Sequence, residues 1–167
     1  MKDTIDVRNL LVRRAEHPLE VEAAQHLRYQ VFYEELGAAP SLTARRTQSD
    51  ADAYDAYCDH LLVIDQARSN GRPFVVGTYR MLRKSEAIKG AGFYSRGEFY
   101  LTSLMHYPGE IVELGRSCVH RDYRSGTVMQ LLWRGIAEYL DAHQIQMMFG
   151  CASFPGTDPL AIQSGLS

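Results

Sequence analysis

The sequence predicts a single mixed α/β domain, with a central sheet flanked by helices. Three observations carry that prediction. Apolar runs of strand length alternate with segments of helical period in the order β-α-β-β-…-β-α-β. A hairpin signal, Asn70-Gly71, lies between two of the apolar runs. Late in the chain, residues 111–140 (IVELGRSCVHRDYRSGTVMQLLWRGIAEYL) pass from an apolar strand through an arginine-bearing turn straight into a periodic helix.

Taken in order, residues 10–15 (LLVRRA) read as the first strand. Pro18 opens a helix expected to reach Leu36, with Val21, Ala24, Leu27 and Val31 near helical spacing and Gly37 as its C′ residue. Residues 38–50 read as a polar loop, and residues 61–65 and 73–82 as the two strands of the hairpin. The glycine- and proline-interrupted stretch 84–110 gives no clear period and is expected to hold a short helix and a substrate-facing loop. Residues 111–119 form a strand and residues 127–143 a helix whose Val128, Leu131, Leu132, Ile136, Tyr139 and Leu140 share one face. The apolar run 146–152 (QMMFGCA) reads as a buried strand, making the last β-α-β unit parallel and right-handed. Ligands of such sheets sit beyond the carboxyl ends of the strands, here where residues 119–126 and 153–158 would meet.

Composition narrows the function class. With 167 residues, 46% hydrophobic and 23% charged, the chain resembles an ordinary globular domain long enough for a real core. A net charge of -2 argues against nucleic acid as a partner. Three cysteines, Cys58, Cys118 and Cys151, match neither a disulfide framework nor a zinc pattern, so no metal is expected. The N-terminus MKDTIDVRN lacks a signal-peptide core and no run approaches a membrane span. The expected location is the cytoplasm, with peripheral contact at the inner membrane surface as a further expectation.

Two constellations carry chemistry. The turn at residues 121–127 brings backbone N–H groups, Arg121 and Arg124 to a helix N-terminus, a natural anion site; the same spacing also serves an ordinary N-cap with solvated arginines. Upstream, Glu113 and Arg116 lie three apart on an apolar strand and face opposite ways if it is regular. A bulge near Gly115 would bring them to one site and free N–H groups to polarise a carbonyl; the same pair also serves as a structural ion pair or as two edge residues in water. An acidic run with Asp50, Asp52, Asp55 and Asp59 offers ammonium recognition or a solvated loop.

Five segments in order, RYQVFYEELGA, DADAYDAYCDHLLVID, VVGTYRML, VELGRSCVHRDYRSGTVMQLLWRGIAEYL and FGCASFPGTDP, resemble the GNAT acyltransferase superfamily. Within it the chain is similar to bacterial ornithine N-acyltransferases of ornithine-lipid synthesis and, more distantly, to acyl-homoserine lactone synthases. The resemblance implies a GNAT fold that moves a (3-hydroxy)fatty acyl group from acyl carrier protein to the α-amine of L-ornithine, giving a lyso-ornithine lipid. Another amino acceptor, and a non-catalytic module that binds carrier protein, are the alternatives. It also implies Glu113 as the base, and Arg28, Phe32, Asp52, Asp55, Arg80 and Arg116 at the amino-acid substrate. Cys118, Val119, His120, Arg124, Ser125, Gly126, Thr127 and Val128 would hold the acyl-phosphopantetheine. The basic residues outside the cleft would dock acyl carrier protein.

Two departures from the family pattern matter. The turn carries Thr127 and Met129 where coenzyme-A-using relatives place glycines. That leaves less room for a pyrophosphate and favours the single phosphate of a carrier-protein arm over acyl-CoA, with no bound cofactor. The chain also stops at Ser167, soon after a helix expected from Asp158, so the C-terminal strands of the fold are expected to be missing.

Overall fold

The computed structural model describes residues 7–152. Its strands are β1 (Leu10–Arg14), β2 (Asp59–Asp65), β3 (Val75–Arg83), β4 (Glu110–Val119) and β5 (Ile145–Phe149). They form one sheet in chain order, antiparallel from β1 to β4 and parallel between β4 and β5. Helix α1 (Pro18–Tyr29) covers one face and the long helix (Thr127–Ala142) the other, so both faces of β2 and β3 are buried. Along β2, Leu61 and Val63 meet the long helix, whereas Leu62 and Ile64 meet α1. This explains why LLVI reads as a continuous apolar run rather than an alternating one.

α1 starts at a capping box in which Leu19 N–H donates to His17 and the backbone N–H groups of Glu16 and His17 donate to Glu20. The predicted helix to Leu36 continues in space but changes pitch, because Gln30–Glu35 forms a π-turn before Gly37 at φ 73°. The expected loop at 38–50 contains a short helix, α2 (Leu42–Thr47), capped by Ser41 Oγ. The unplaced stretch holds α3 (Lys84–Ala87), a 3-10 turn (Tyr94–Gly97) and α4 (Thr102–Met105). It packs through Phe93 and Ala87 onto Leu82 and Ile111. The long helix is numbered α5, and its buried side chains Val128, Leu132, Ile136 and Tyr139 are the predicted face.

The last strand departs from expectation in its burial. β5 is half-buried and exposed by turns, with Met148 43% exposed, because among the described residues it pairs only with β4. An apolar run marked it as a strand, but only sheet order decides how many neighbours cover it. Residues 153–158, expected to complete the ligand site, and the helix expected from Asp158 lie outside the described residues. Among the described residues no helix is long and apolar enough to cross a membrane.

Candidate active site

The site begins with a defect in β4. Arg80 pairs with Gly115 and Thr78 with Cys118, so Arg116 and Ser117 together oppose Tyr79. This is the bulge expected near Gly115, with Arg116 in the left-handed region at φ 51°. It cancels the strand's alternation, so Glu113 and Arg116 line the same cleft of about 790 Å³. Pairing with β5 ends at Glu113 opposite Phe149. At the next step a Cβ on Gly150 would stand 2.4 Å from the Leu114 carbonyl oxygen, so only glycine lets the two chains pass.

Glu113 is 4% exposed and rigidly held. Its Oε1 accepts from Ser95 N–H at 2.8 Å and from Ser95 Oγ, and its Oε2 accepts from Tyr94 N–H at 2.6 Å. A carboxylate offers about four lone-pair positions, so Oε2 keeps one for a proton from the cleft.

Beneath the cleft, three guanidiniums and three carboxylates close a ring of alternating charge. Arg28 bridges Asp50 and Asp55, Arg80 bridges Asp55 and Asp52, and Arg116 bridges Asp52 and Asp50. Arg28 Nε lies 3.0 Å from Asp50 Oδ2 at ion-pair rather than hydrogen-bond geometry. Tyr33 donates to Asp50 at 2.8 Å and Gln25 to Asp55 at 2.9 Å. Burial alone would raise the Asp55 carboxyl, but Arg28 and Arg80 hold it well below the usual carboxylate range.

The ring takes up two residues expected at the amino-acid substrate: Arg28 is 0% exposed and the Asp55 side chain lies beneath two arginines, and neither lines the main cleft. Asp52 is spent on Arg80 and on the Tyr54 N–H. Arg116 is different: 28% of its side chain is exposed, and its guanidinium sits 5.2 Å from the Tyr94 ring centre and 5.8 Å from that of Phe32. Arg80 lines the cleft floor.

A second groove of about 360 Å³ adjoins the first, sharing Phe32, Leu36 and Ser117, and runs to Arg124 and Gly126 at the start of α5. Helix α5 opens at Gly126 (φ 96°) with no side-chain cap, leaving the amides of its first turn for a ligand. Arg124 lies there but already donates to the Val119 carbonyl and, at 2.6 Å, to Glu35. Burial pushes the Glu35 carboxyl up, but Arg124 and Arg121 outweigh it and lower it. Of the backbone amides of residues 118–120, expected at the acyl-phosphopantetheine, that of His120 is consumed by the Val76 carbonyl at 2.8 Å. Strand alternation turns the neighbouring Val119 N–H the other way, towards β5.

The expected basic docking face is largely neutralised. Arg13 pairs with Glu20, Arg14 and Arg83 with Asp59, Lys89 with Glu86, and Arg121 and Arg124 with Glu35. Among the described residues, no group of three or more His, Cys, Asp or Glu side chains is placed to hold a metal. Sequence reasoning missed Tyr94, Ser95 and Glu35. Tyr94 and Ser95 lie in the aperiodic stretch, where only the register of a distant strand could assign them.

Residues 27–134 match the family model described as an acetyltransferase (GNAT) domain. The chain belongs to the GNAT family. It is 44% identical over 161 residues to the L-ornithine N(alpha)-acyltransferase of Agrobacterium fabrum, covering 95% of this chain and 55% of that one. This GNAT chain spans between 53% and 61% of the length of the curated relatives it matches. Among solved structures it resembles the AHL synthase LasI (TM-score 0.58, 18% identity, 94% of this chain and 76% of that one). It also resembles FeeM, an N-acyl amino acid synthase from uncultured soil microbes (TM-score 0.61, 12% identity, 93% and 75%). These two likenesses are of fold.

Proposed function

We propose that this chain carries the acyl-transfer site of an L-ornithine N-acyltransferase. The carrying observation is Glu113, fixed at the point where β4 and β5 stop pairing and sharing one cleft with the bulged Arg116. The 44% identity to an L-ornithine N(alpha)-acyltransferase supports the acceptor. The donor is an acyl thioester on the phosphopantetheine arm of acyl carrier protein, supported by the narrow groove to α5 with its single turn glycine, Gly126.

In this reading the arm lies in the second groove, its phosphate on the free amides at 125–128 and on Arg124, which exchanges Glu35 for the ligand. The Val119 N–H polarises the thioester carbonyl. Arg116 binds the amino-acid carboxylate in a bidentate pair. Glu98, which lines the cleft mouth, takes the side-chain ammonium in place of Asp52 and Asp55. The α-amine attacks the carbonyl carbon, and Glu113 Oε2 takes the amine proton as the tetrahedral intermediate forms. Collapse breaks the C–S bond and leaves an N-acyl amino acid and a thiol.

Purified protein incubated with 3-hydroxyacyl carrier protein and ornithine tests this, with product read by mass spectrometry. Glu113→Gln is expected to reduce turnover by roughly 10²–10⁴-fold while carrier-protein binding persists. A wild-type protein that binds carrier protein yet acylates no amine would replace this reading with a binding module.

A further inference from the structure

Resting on that acyltransferase reading, we infer that Tyr94 is a positioning residue that holds the base and the carboxylate-binding arginine at one fixed separation. That separation fits the amine and carboxylate of an α-amino acid. The Tyr94 backbone N–H donates to Glu113 Oε2 at 2.6 Å, and its ring centre lies 5.2 Å from the Arg116 guanidinium. All three residues line the main cleft.

Arg116 needs such a frame because it is the loosest member of the charge ring. Its ion-pair contacts are 3.4 Å to Asp50 and 3.7 Å to Asp52, whereas Arg28 and Arg80 meet their carboxylates at 2.7 to 3.0 Å. Charge-assisted hydrogen bonds run at about 2.7–2.9 Å, so the two carboxylates attract the Arg116 guanidinium without fixing the plane of its fork. Arg116 Nε, although buried, has no hydrogen-bond partner among the described residues. Its direction is set instead by its backbone, at φ 51°, and by two aromatic rings, Tyr94 at 5.2 Å and Phe32 at 5.8 Å.

Both rings arrive on irregular turns and are themselves held. Phe32 belongs to the π-turn Gln30–Glu35 and packs against the buried cluster that includes Ala24, Leu27 and Val31. Tyr94 opens the 3-10 turn Tyr94–Gly97 and is braced edge-on by Tyr54, 5.4 Å away at 70°. The Tyr94 ring also lies 5.6 Å from Arg80, a cation already fixed on Asp52 and Asp55. The frame therefore stands before any substrate arrives.

In an α-amino acid the amine and the carboxylate share one carbon. Once Arg116 grips the carboxylate, the amine meets Glu113 Oε2 only if guanidinium and carboxylate oxygen keep their separation. Tyr94 reaches Glu113 through its main chain and Arg116 through its ring. A side-chain substitution therefore removes the second contact and leaves the first in place.

The test measures kcat and KM for ornithine in the full chain, with 3-hydroxyacyl carrier protein as donor. The variants are Tyr94→Leu, Tyr94→Phe, Arg116→Gln and the pair Tyr94→Leu with Arg116→Gln. Tyr94→Leu is expected to raise KM roughly 3–10-fold. Its kcat should stay within about twofold, because the amide on Glu113 is retained. Tyr94→Phe keeps the ring and should restore the wild-type KM. Added to Arg116→Gln, Tyr94→Leu should change KM no further, since the residue it acts through is gone. Tyr94 is 39% exposed, and Phe32→Leu repeats the cycle from the other ring. A Tyr94→Leu effect that multiplies that of Arg116→Gln, or that falls on kcat alone, overturns the frame and leaves the acyltransferase reading standing. So does a Tyr94→Phe variant as impaired as Tyr94→Leu. A wild-type protein that acylates no amino acid overturns the frame and the acyltransferase reading together.

Discussion

Replacing Arg28 with Met opens the charge ring while keeping most of the side chain's volume. In the wild type three guanidiniums balance three carboxylates, and Arg28, fully buried, bridges Asp50 and Asp55. The variant leaves three buried or half-buried carboxylates on two arginines. Removing one partner of a buried ion pair costs about 3–5 kcal/mol, a large part of a domain's stability. For a chain of this length that lowers Tm by roughly 10 °C. The pH dependence carries the sharper test. Arg28 helps to hold Asp55 well below its ordinary range, although burial opposes this. That stabilisation is present above the unfolded carboxylate value and is lost as pH falls through the folded one. The variant lacks Arg28's share of it, so its deficit is largest near neutrality and shrinks below pH ~4 as the carboxylates protonate. Urea unfolding at pH 7.5 and at about pH 2 measures both. A neutral-pH deficit under 1 kcal/mol, or one equal at the two pH values, would refute the ring as a stability element. The folded fraction should keep its KM for the amino acid, since Arg28 does not reach the cleft.

Arg116→Gln is the converse experiment: it keeps the bulge but removes the exposed guanidinium, and steady-state kinetics should show KM for the amino acid rising roughly 10–100-fold. Gly150→Ala sets a methyl against the Leu114 carbonyl and forces β5 away from β4. Turnover should fall more than tenfold for a stability cost of about 1–3 kcal/mol, read from activity assays beside a thermal melt. Glu20 is held at about 2, against an ordinary 4.5, chiefly by its hydrogen bonds from Arg13. Its contribution is therefore complete above pH 4.5 and disappears as pH falls towards 2. Glu20→Gln should cost about 2 kcal/mol at neutral pH and flatten the acid-unfolding curve across that window.

Legibility followed the range of the interactions. α5 was readable because its face repeats every turn, and the Asn70-Gly71 hairpin because a turn is local chemistry. The π-turn at Gln30–Glu35 was not, since changing helical pitch there leaves the apolar spacing almost unaltered. The roles of Arg28 and Arg116 were indistinguishable as residue types. One became buried and the other cleft-facing when α1 covered the first and the β4 bulge turned the second outward. Ser95 carried no local signal at all.

By itself, the sequence determined the α/β order, the apolar faces and the presence of Glu113 and Arg116 on one strand, because periodicity and spacing are properties of neighbouring residues. Tertiary structure alone decided that the acidic run closes into a charge ring, that Ser95 and Cys151 meet Glu113, and that among the described residues β5 has a single partner. Those facts depend on pairing residues dozens of positions apart, and such distances are set by the register of the sheet rather than by any local pattern.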